Sequence, residues 1–460
     1  MKFLKESATV RWGALALVAL TMFAAYLATD LFAPLKTLLE QNNHWNSTEY
    51  GWYSSAYSIF NVFLGMLIFG GLILDKMGIR FTGILSCTLM VIGVGIKYWA
   101  LTTPELIENS INFLGTTYKM QVAWAVVGYG IFGVGAEIAG ITVTKIIAKW
   151  FEGKDLALAM GLQLSLARLG SAAALYFSPK IAAKYGTISS CLTICLILLV
   201  LGAICYFIYC IYDKKLDKQL IAEGKETGGQ LAEDEEFHLS DIVTIIKNPA
   251  FWLIAFLCVL FYSAVFPFLK YASDLMVNKF NVDASVAGDI PSMLPFGCII
   301  LTPLFGRIYD SKGHGVDLML LGAALITAVH LLFAAPFVTE KWMAIVLMIL
   351  LGIGFAMLPS AMWPSIAKIM PLKQLGTTMS LTFYIQNIGL WGVPLLIGSV
   401  LDKYCKIASA DSSVIRYNYT TPMLIFASFG ILSILISLGL KYLDKRNNYG
   451  LQIPNKKIGN

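Results

Sequence analysis

Long apolar runs separated by short polar segments recur along the whole chain. Each reaches the roughly 20 residues that a helix needs to cross a bilayer. The pattern predicts twelve such helices, over 12–33, 53–74, 81–101, 122–146, 157–179, 187–211, 250–273, 285–306, 316–336, 342–367, 375–400 and 420–442. The longest polar interruption, 212–249, divides them six and six. Its mixed charge, including the acidic run Glu233–Glu236, reads as a solvated linker. Within it, HLSDIVTIIK has the apolar spacing of a short helix lying along a membrane surface, and Pro249 suits the first turn of the next long helix. The expected fold is an all-α polytopic membrane protein with one six-helix lobe over 1–211, a linker over 212–249, a second lobe over 250–445 and a tail over 446–460.

Composition sharpens this picture. Hydrophobic residues make up 57% of the 460 and charged residues 13%, which leaves little room for a soluble catalytic domain. The net charge of +6 borders the helices and forms no patch, so a nucleic-acid partner is not expected. Counted from a cytoplasmic amino terminus, one side collects Lys2, Lys5, Arg11, Lys76, Arg80, Lys145, Lys149, Lys154, Lys441, Lys445 and Arg446. That bias, roughly two to one, predicts both termini inside. The first apolar run is longer than a signal-peptide core and contains Asp30, so it is expected to be a helix and not a leader. Of eight cysteines only Cys405 falls in an expected outer loop, and His44, His238, His314 and His330 are dispersed. Neither a disulfide framework nor a metal site nor a cofactor is expected, and an enzyme reading finds no constellation to rest on.

Charges inside the apolar runs carry the candidate chemistry. Glu137 and Arg168 lie near the middle of two spans, where an ionised group is costly unless paired or facing a cavity. They form either a structural ion pair or a substrate site. Arg168 offers a fixed fork of donors to a carboxylate; Glu137 can receive an ammonium group or titrate. A zwitterion presents both partners, which favours an amino-acid-like or peptide-like substrate without choosing between them. Asp30 is expected to cap or gate, and Lys270 and Lys97 to snorkel toward an interface. A second tier comprises Tyr57, Asn61, Tyr262, Phe266, Trp363, Tyr384, Gln386, Asn387 and Trp391. The amides rank ahead of the rings, because buried amides need partners. Gly133, Gly135 and Gly140 are expected to let the fourth helix pack closely.

A loop motif recurs in both halves: Gly71-Leu-Ile-Leu-Asp75-Lys76-Met-Gly78-Ile-Arg80, then Gly306-Arg307-Ile-Tyr-Asp310-Ser-Lys312-Gly313, with a third trace in Gly398-Ser-Val-Leu-Asp402-Lys403. In each, the first Gly is expected to allow close helix approach, the Asp to cap or pair, and the second Gly to make a tight turn. The pattern resembles the major facilitator superfamily, whose motif is G-x-x-x-D-[RK]-x-G-x-[RK]; Ser311 replaces the basic residue in the second copy. The resemblance implies two lobes working by alternating access, with Asp30, Asp75, Arg80 and Asp310 as gating or coupling residues.

Further strings are more specific. Lys149-Trp-Phe-Glu-Gly-Lys-Asp-Leu156, Gly161-Leu-Gln-Leu-Ser165 and Ala167-Arg-Leu-Gly-Ser171 resemble a signature of the lysosomal dipeptide uniporters, the subgroup of major facilitator superfamily domain-containing protein one, and their bacterial relatives. Ala264–Phe268, Trp363-Pro364, Gln374–Thr377, Ile385–Gly389 and Tyr57-Ser-x-x-Asn61-Val are similar too. What this implies is facilitated diffusion of dipeptides, with Glu137 holding the amino end, Arg168 the carboxyl end, and Tyr57, Asn61, Tyr262, Trp363, Tyr384, Gln386 and Asn387 around them. Ala136 where the subgroup has Gly, and Lys270 where it has a small residue, are departures. An organic-anion exchanger using Arg168 and Lys270, a proton-coupled symporter, and a non-transporting sensor remain alternatives. The short loops and absent dileucine signal point to a bacterial inner membrane, with the lipid bilayer and a small zwitterion as the only partners and no obligate protein partner.

Overall fold

A computed structural model describes residues 4–113, 116–151, 155–222, 239–370, 374–407 and 415–454. Helix follows helix: α1 (Ala8–Asp30), α2 (Lys36–Asn43), α3 (Ser47–Phe63), α4 (Met66–Thr102), α5 (Pro104–Glu108), α6 (Met120–Phe151), α7 (Leu156–Tyr185), α8 (Ser189–Ala222), α9 (Leu239–Lys247), α10 (Pro249–Phe280), α11 (Asp289–Lys312), α12 (Gly315–Ala334), α13 (Lys341–Ile369), α14 (Leu375–Tyr404) and α15 (Thr420–Asn447). Two small antiparallel hairpins interrupt them, β1 (Ser110–Phe113) with β2 (Thr116–Lys119) and β3 (Lys406–Ile407) with β4 (Arg416–Tyr417); Ser110 faces Lys119 and Lys406 faces Tyr417. Among the described residues, eleven helices are long and apolar enough to cross a membrane. Among the described residues, none of the eight cysteines forms a disulfide.

The span expected over 53–74 is not one continuous helix. Gly65 adopts the left-handed region (φ 61°) and separates α3 from α4. Inside α4, Gly78 (φ 75°, ψ 172°) divides 66–77 from 79–102. This is the turn expected at the second glycine of the loop motif, and Gly313 (φ 73°) makes its counterpart after α11. The first glycines behave otherwise: a Cβ on Gly71 or Gly306 would meet nothing within 4 Å, so neither is a close approach.

The polar stretch after 211 also differs from expectation. Instead of a linker from 212, α8 continues to Ala222, because Asp213 and Asp217 lie one turn apart and each accepts from Lys149 Nζ at 2.7 Å and from Arg80 at 3.0 and 2.6 Å. Asp213 is fully buried. Glu233–Glu236 and His238 lie outside the described residues. α9 forms where HLSDIVTIIK predicts a helix, and Pro249 occupies the first turn of α10 behind an Asn248 side chain that accepts from the Ala250 amide.

The chain forms two compact units, 1–32 with 56–233, and 33–55 with 234–460. The segment 33–55 thus packs with the second half of the sequence. Each unit contains a backbone-to-backbone helix crossing. In the first, a Cβ on Gly93 of α4 would sit 2.5 Å from the Gly128 carbonyl of α6, and one on Gly128 would sit 2.6 Å from that of Gly93. In the second, Gly322 of α12 and Gly354 of α13 make the same reciprocal contact, at 2.9 and 3.1 Å. Small residues are what such lipid-embedded crossings need, since lipid supplies no hydrophobic drive between helices. The segment 450–453, after α15, folds back as well. His314 and Gly315 amides donate to the Gln452 and Leu451 carbonyls, and Lys368 Nζ to those of Gly450 and Ile453. The amino-terminal N–H groups of α12, which lack helical acceptors, are satisfied in this way.

Candidate functional site

In the first unit the charged candidates gather around Tyr26 of α1. Arg168 of α7 lies with its guanidinium carbon 5.9 Å from the centre of the Tyr26 ring, and Tyr26 feels the charges of Arg168, Glu137 and Asp30. Glu137 of α6 accepts a hydrogen bond from the Tyr57 hydroxyl of α3 at 2.9 Å. Among the described residues no cation bridges the Glu137 carboxylate; Tyr57 is its hydrogen-bond donor. Tyr57 is placed by Gly133, one turn before Glu137, where a Cβ would come within 2.1 Å of the Tyr57 carbonyl. Gly135 is similarly tight against Ser86, whereas Gly140 faces open space. Asp30, one turn beyond Tyr26, receives the Ser171 hydroxyl of α7 at 2.5 Å. So Glu137 and Arg168 are brought into one cluster without being each other's ion-pair partner.

Of the other members of this neighbourhood, one escapes sequence reasoning and one departs from its expectation. Tyr26 carries no signal beyond its i, i+4 spacing from Asp30. Lys97 does not reach an interface: α4 extends five residues past it, and the side chain is 0% exposed, with its ammonium 4.8, 4.7 and 5.9 Å from the ring centres of Phe32, Tyr129 and Phe132. Aromatic faces attract a desolvated cation. Asn61, one turn after Tyr57, is 1% exposed, and neither its Nδ2 nor its Oδ1 has a hydrogen-bond partner.

In the second unit, Tyr262 and Trp363 come together, the indole N–H donating to the phenol oxygen at 3.1 Å. Phe266 stacks on Tyr262 at 5.3 Å and Phe383 on Trp363 at 4.7 Å, giving an aromatic wall built from α10, α13 and α14. Gln386 accepts from the Cys258 thiol at 3.4 Å, and Asn387 donates to the Phe383 carbonyl. Tyr384 is half-buried on the same helix. Lys270 lies in α10, half-buried, with its carbonyl accepting from Tyr50.

Of the expected gating residues, Asp30 belongs to the Tyr26 cluster, and the others lie elsewhere. Asp75 bridges Lys145 at 2.8 Å, and Arg80 joins the Asp213–Asp217–Lys149 group, to which the Trp150 indole and Tyr209 hydroxyl also donate. Asp310 is half-buried on α11 beside Tyr309, whose hydroxyl lies 3.4 Å from Ser365 Oγ. A further network in the second unit was not legible in sequence. Lys36, fully buried, bridges Glu40 at 2.7 Å and Asp274 at 2.9 Å. Tyr419 donates to Asp274, and Tyr417 to Glu40. Burial foremost, with Glu40 acting on Tyr417 and Asp274 on Tyr419, pushes both phenols above their usual range, so they stay hydrogen-bond donors. Asp402, the aspartate of the third motif trace, caps α3 through the Ser47 and Thr48 amides, and a Cβ on Gly398 would meet the Ser47 carbonyl at 2.2 Å.

Comparison with known proteins agrees with this architecture. The Major Facilitator Superfamily profile matches residues 18–394. The lysosomal dipeptide transporter MFSD1 of Mus musculus is 30% identical over 402 residues, covering 85% of this chain and 80% of that protein. Among solved structures, the nucleoside transporter NupG superposes with a TM-score of 0.64 at 14% identity, covering 93% of this chain and 99% of that one. A D-xylose–proton symporter does so with a TM-score of 0.67 at 14% identity, covering 94% and 96%. With a helical fold of apolar spans, charges clustered inside them and this family match, the chain belongs to the major facilitator superfamily and is a membrane transporter, not an enzyme.

Proposed function

We propose that the protein moves dipeptides across a membrane by alternating access as a uniporter, gripping the substrate's amino end at Glu137 and its carboxyl end at Arg168. The carrying observation is the Glu137 carboxylate: it sits within a span, held by the Tyr57 hydroxyl at 2.9 Å, with no cation bridging it among the described residues. A carboxylate so placed is matched by an incoming ammonium group, which adds charge-assisted hydrogen bonds worth about 1.5–3 kcal/mol each. Arg168, always charged, presents parallel donors to the carboxylate at the other end. Tyr26, whose ring centre lies 5.9 Å from the Arg168 guanidinium carbon and which feels the Glu137 charge, is near both ends of the proposed grip. The aromatic wall of Tyr262, Phe266, Trp363 and Phe383, with Tyr384, Gln386 and Asn387 nearby on α14, is proposed as the substrate-facing surface of the second unit. The name of the 30% identical relative supports the substrate class.

In this reading twelve spans form two six-helix lobes with both termini cytoplasmic, in a bacterial inner membrane. Asp30, Asp75, Arg80 and Asp310 gate the cycle. Purified protein in liposomes preloaded with a dipeptide should show counterflow, and Glu137→Ala and Arg168→Ala should each abolish it. Normal transport by both variants would falsify the assignment. A second reading is favoured by the same carboxylate: a Glu without a cation can carry a proton. Concentrative uptake driven by an imposed pH gradient would establish symport, and its absence uniport.

A further inference from the structure

We infer that Asn61, supported by Ser58, reads the substrate's peptide bond, so that the protein selects a dipeptide from other zwitterions of similar length. The inference rests on the dipeptide reading above and extends it to the middle of the substrate.

Asn61 and Ser58 are each 1% exposed, and the Ser58 hydroxyl and both polar atoms of the Asn61 amide lack hydrogen-bond partners. A buried amide without partners is costly, and native structures seldom keep one without a reason. Local alternatives are used elsewhere in this protein. Thr29, Thr142, Thr327, Ser360 and Ser365 all donate to the carbonyl four residues back in their helices. Asn387, the comparable amide of α14, does the same to Phe383. Ser58 declines that option, as Ser54, Ser55, Ser273 and Ser437 do, but among the described buried amides only Asn61 leaves both polar atoms without a partner.

Position supplies the ligand. Asn61 follows Tyr57 by one turn, so both lie on one face of α3, about 6 Å apart along its axis at 1.5 Å per residue. Helical side chains lean toward the amino terminus, so the Asn61 amide lies over the turn that begins at Tyr57, whose hydroxyl binds Glu137. An ammonium group held at Glu137 places the first peptide unit about one residue length, ~3.8 Å, further on. There the Asn61 Oδ1 accepts the peptide N–H, and Ser58, three residues earlier on the same face, completes the polar strip. A free amino acid has no group at this point, and an ester has no donor.

The test compares alanylalanine with alanyl-lactate, which replaces the peptide N–H by an ester oxygen and keeps both charged ends, as competitors of dipeptide counterflow in liposomes. The wild type should bind the ester at least tenfold more weakly than the peptide. Asn61→Leu, checked for folding by thermal unfolding and accompanied by Asn61→Ala, should treat the two alike within about twofold. Equal affinity in the wild type, or discrimination unchanged in a folded Asn61 variant, overturns the assignment. Competition by neither compound contradicts the dipeptide reading itself, and with it this one.

Discussion

Glu137 keeps a hydroxyl where a structural ion pair would keep a cation, and the Tyr57 hydrogen bond at 2.9 Å shows which face of the carboxylate is already used. Removing that hydroxyl should therefore weaken binding without abolishing it. Tyr57→Phe loses one hydrogen bond to a charged group, about 1.5–3 kcal/mol, so dipeptide affinity should fall at least tenfold in a thermal-shift titration. Lys36 gives a contrasting case, a structural charge. It is fully buried between Glu40 and Asp274, and Lys36→Met leaves two carboxylates facing each other. Breaking a buried pair on one side costs about 3–5 kcal/mol. Thermal unfolding should show that loss, with partial recovery on adding Asp274→Asn; an unchanged melting temperature in the single variant would contradict it. The two cases also mark what residue-level reading can find. Glu137 and Arg168 stand out because everything around them in sequence is apolar. Lys36 and Asp274 fall just outside the expected spans and pair across 238 residues, so no local pattern announces them.

At the scale of elements, glycines placed at crossings matter more than glycines in general. Gly93→Val puts a branched side chain where the Gly128 carbonyl lies 2.5 Å from the first added carbon, so α4 and α6 must separate. Overpacking of this kind costs about 1–3 kcal/mol or more. Gly140→Ala on α6, the helix of Gly128, meets nothing within 4 Å and should leave stability within about 0.5 kcal/mol of the wild type. Thermal melts of the two variants side by side check the distinction, and equal losses would show that α6 does not use Gly128 as argued. Element existence was legible because an apolar run of spanning length has few alternatives to a helix in lipid. Element ends were not. Asp213, in a stretch whose Asp and Lys composition reads as a linker, is buried because Lys149 and Arg80, on other helices, reach it. Gly65 breaks a run whose apolar content is uninterrupted, since hydrophobicity does not record backbone handedness.

For the whole molecule, the family pattern and the cluster of charges in the first unit point to the same function. The repeated loop motif predicts an internal repeat, and each unit holds one reciprocal glycine crossing, Gly93–Gly128 in the first and Gly322–Gly354 in the second. The proposed grips were legible as residue types, Glu137 and Arg168, but their surroundings were not: Tyr26 beside both charges and the Tyr57 hydrogen bond, which rests on the close approach at Gly133, come from helix packing. In the proposed reading, coupling turns on whether the Glu137 site carries an ammonium group or a proton. The most direct measurement is counterflow of a radiolabelled dipeptide into liposomes at equal pH on both sides, competed with the same dipeptide acetylated at its amino end or amidated at its carboxyl end. Binding at both Glu137 and Arg168 predicts robust counterflow, competed by the free dipeptide and by neither blocked form. Full competition by either blocked form, or transport that requires a pH gradient, would contradict it.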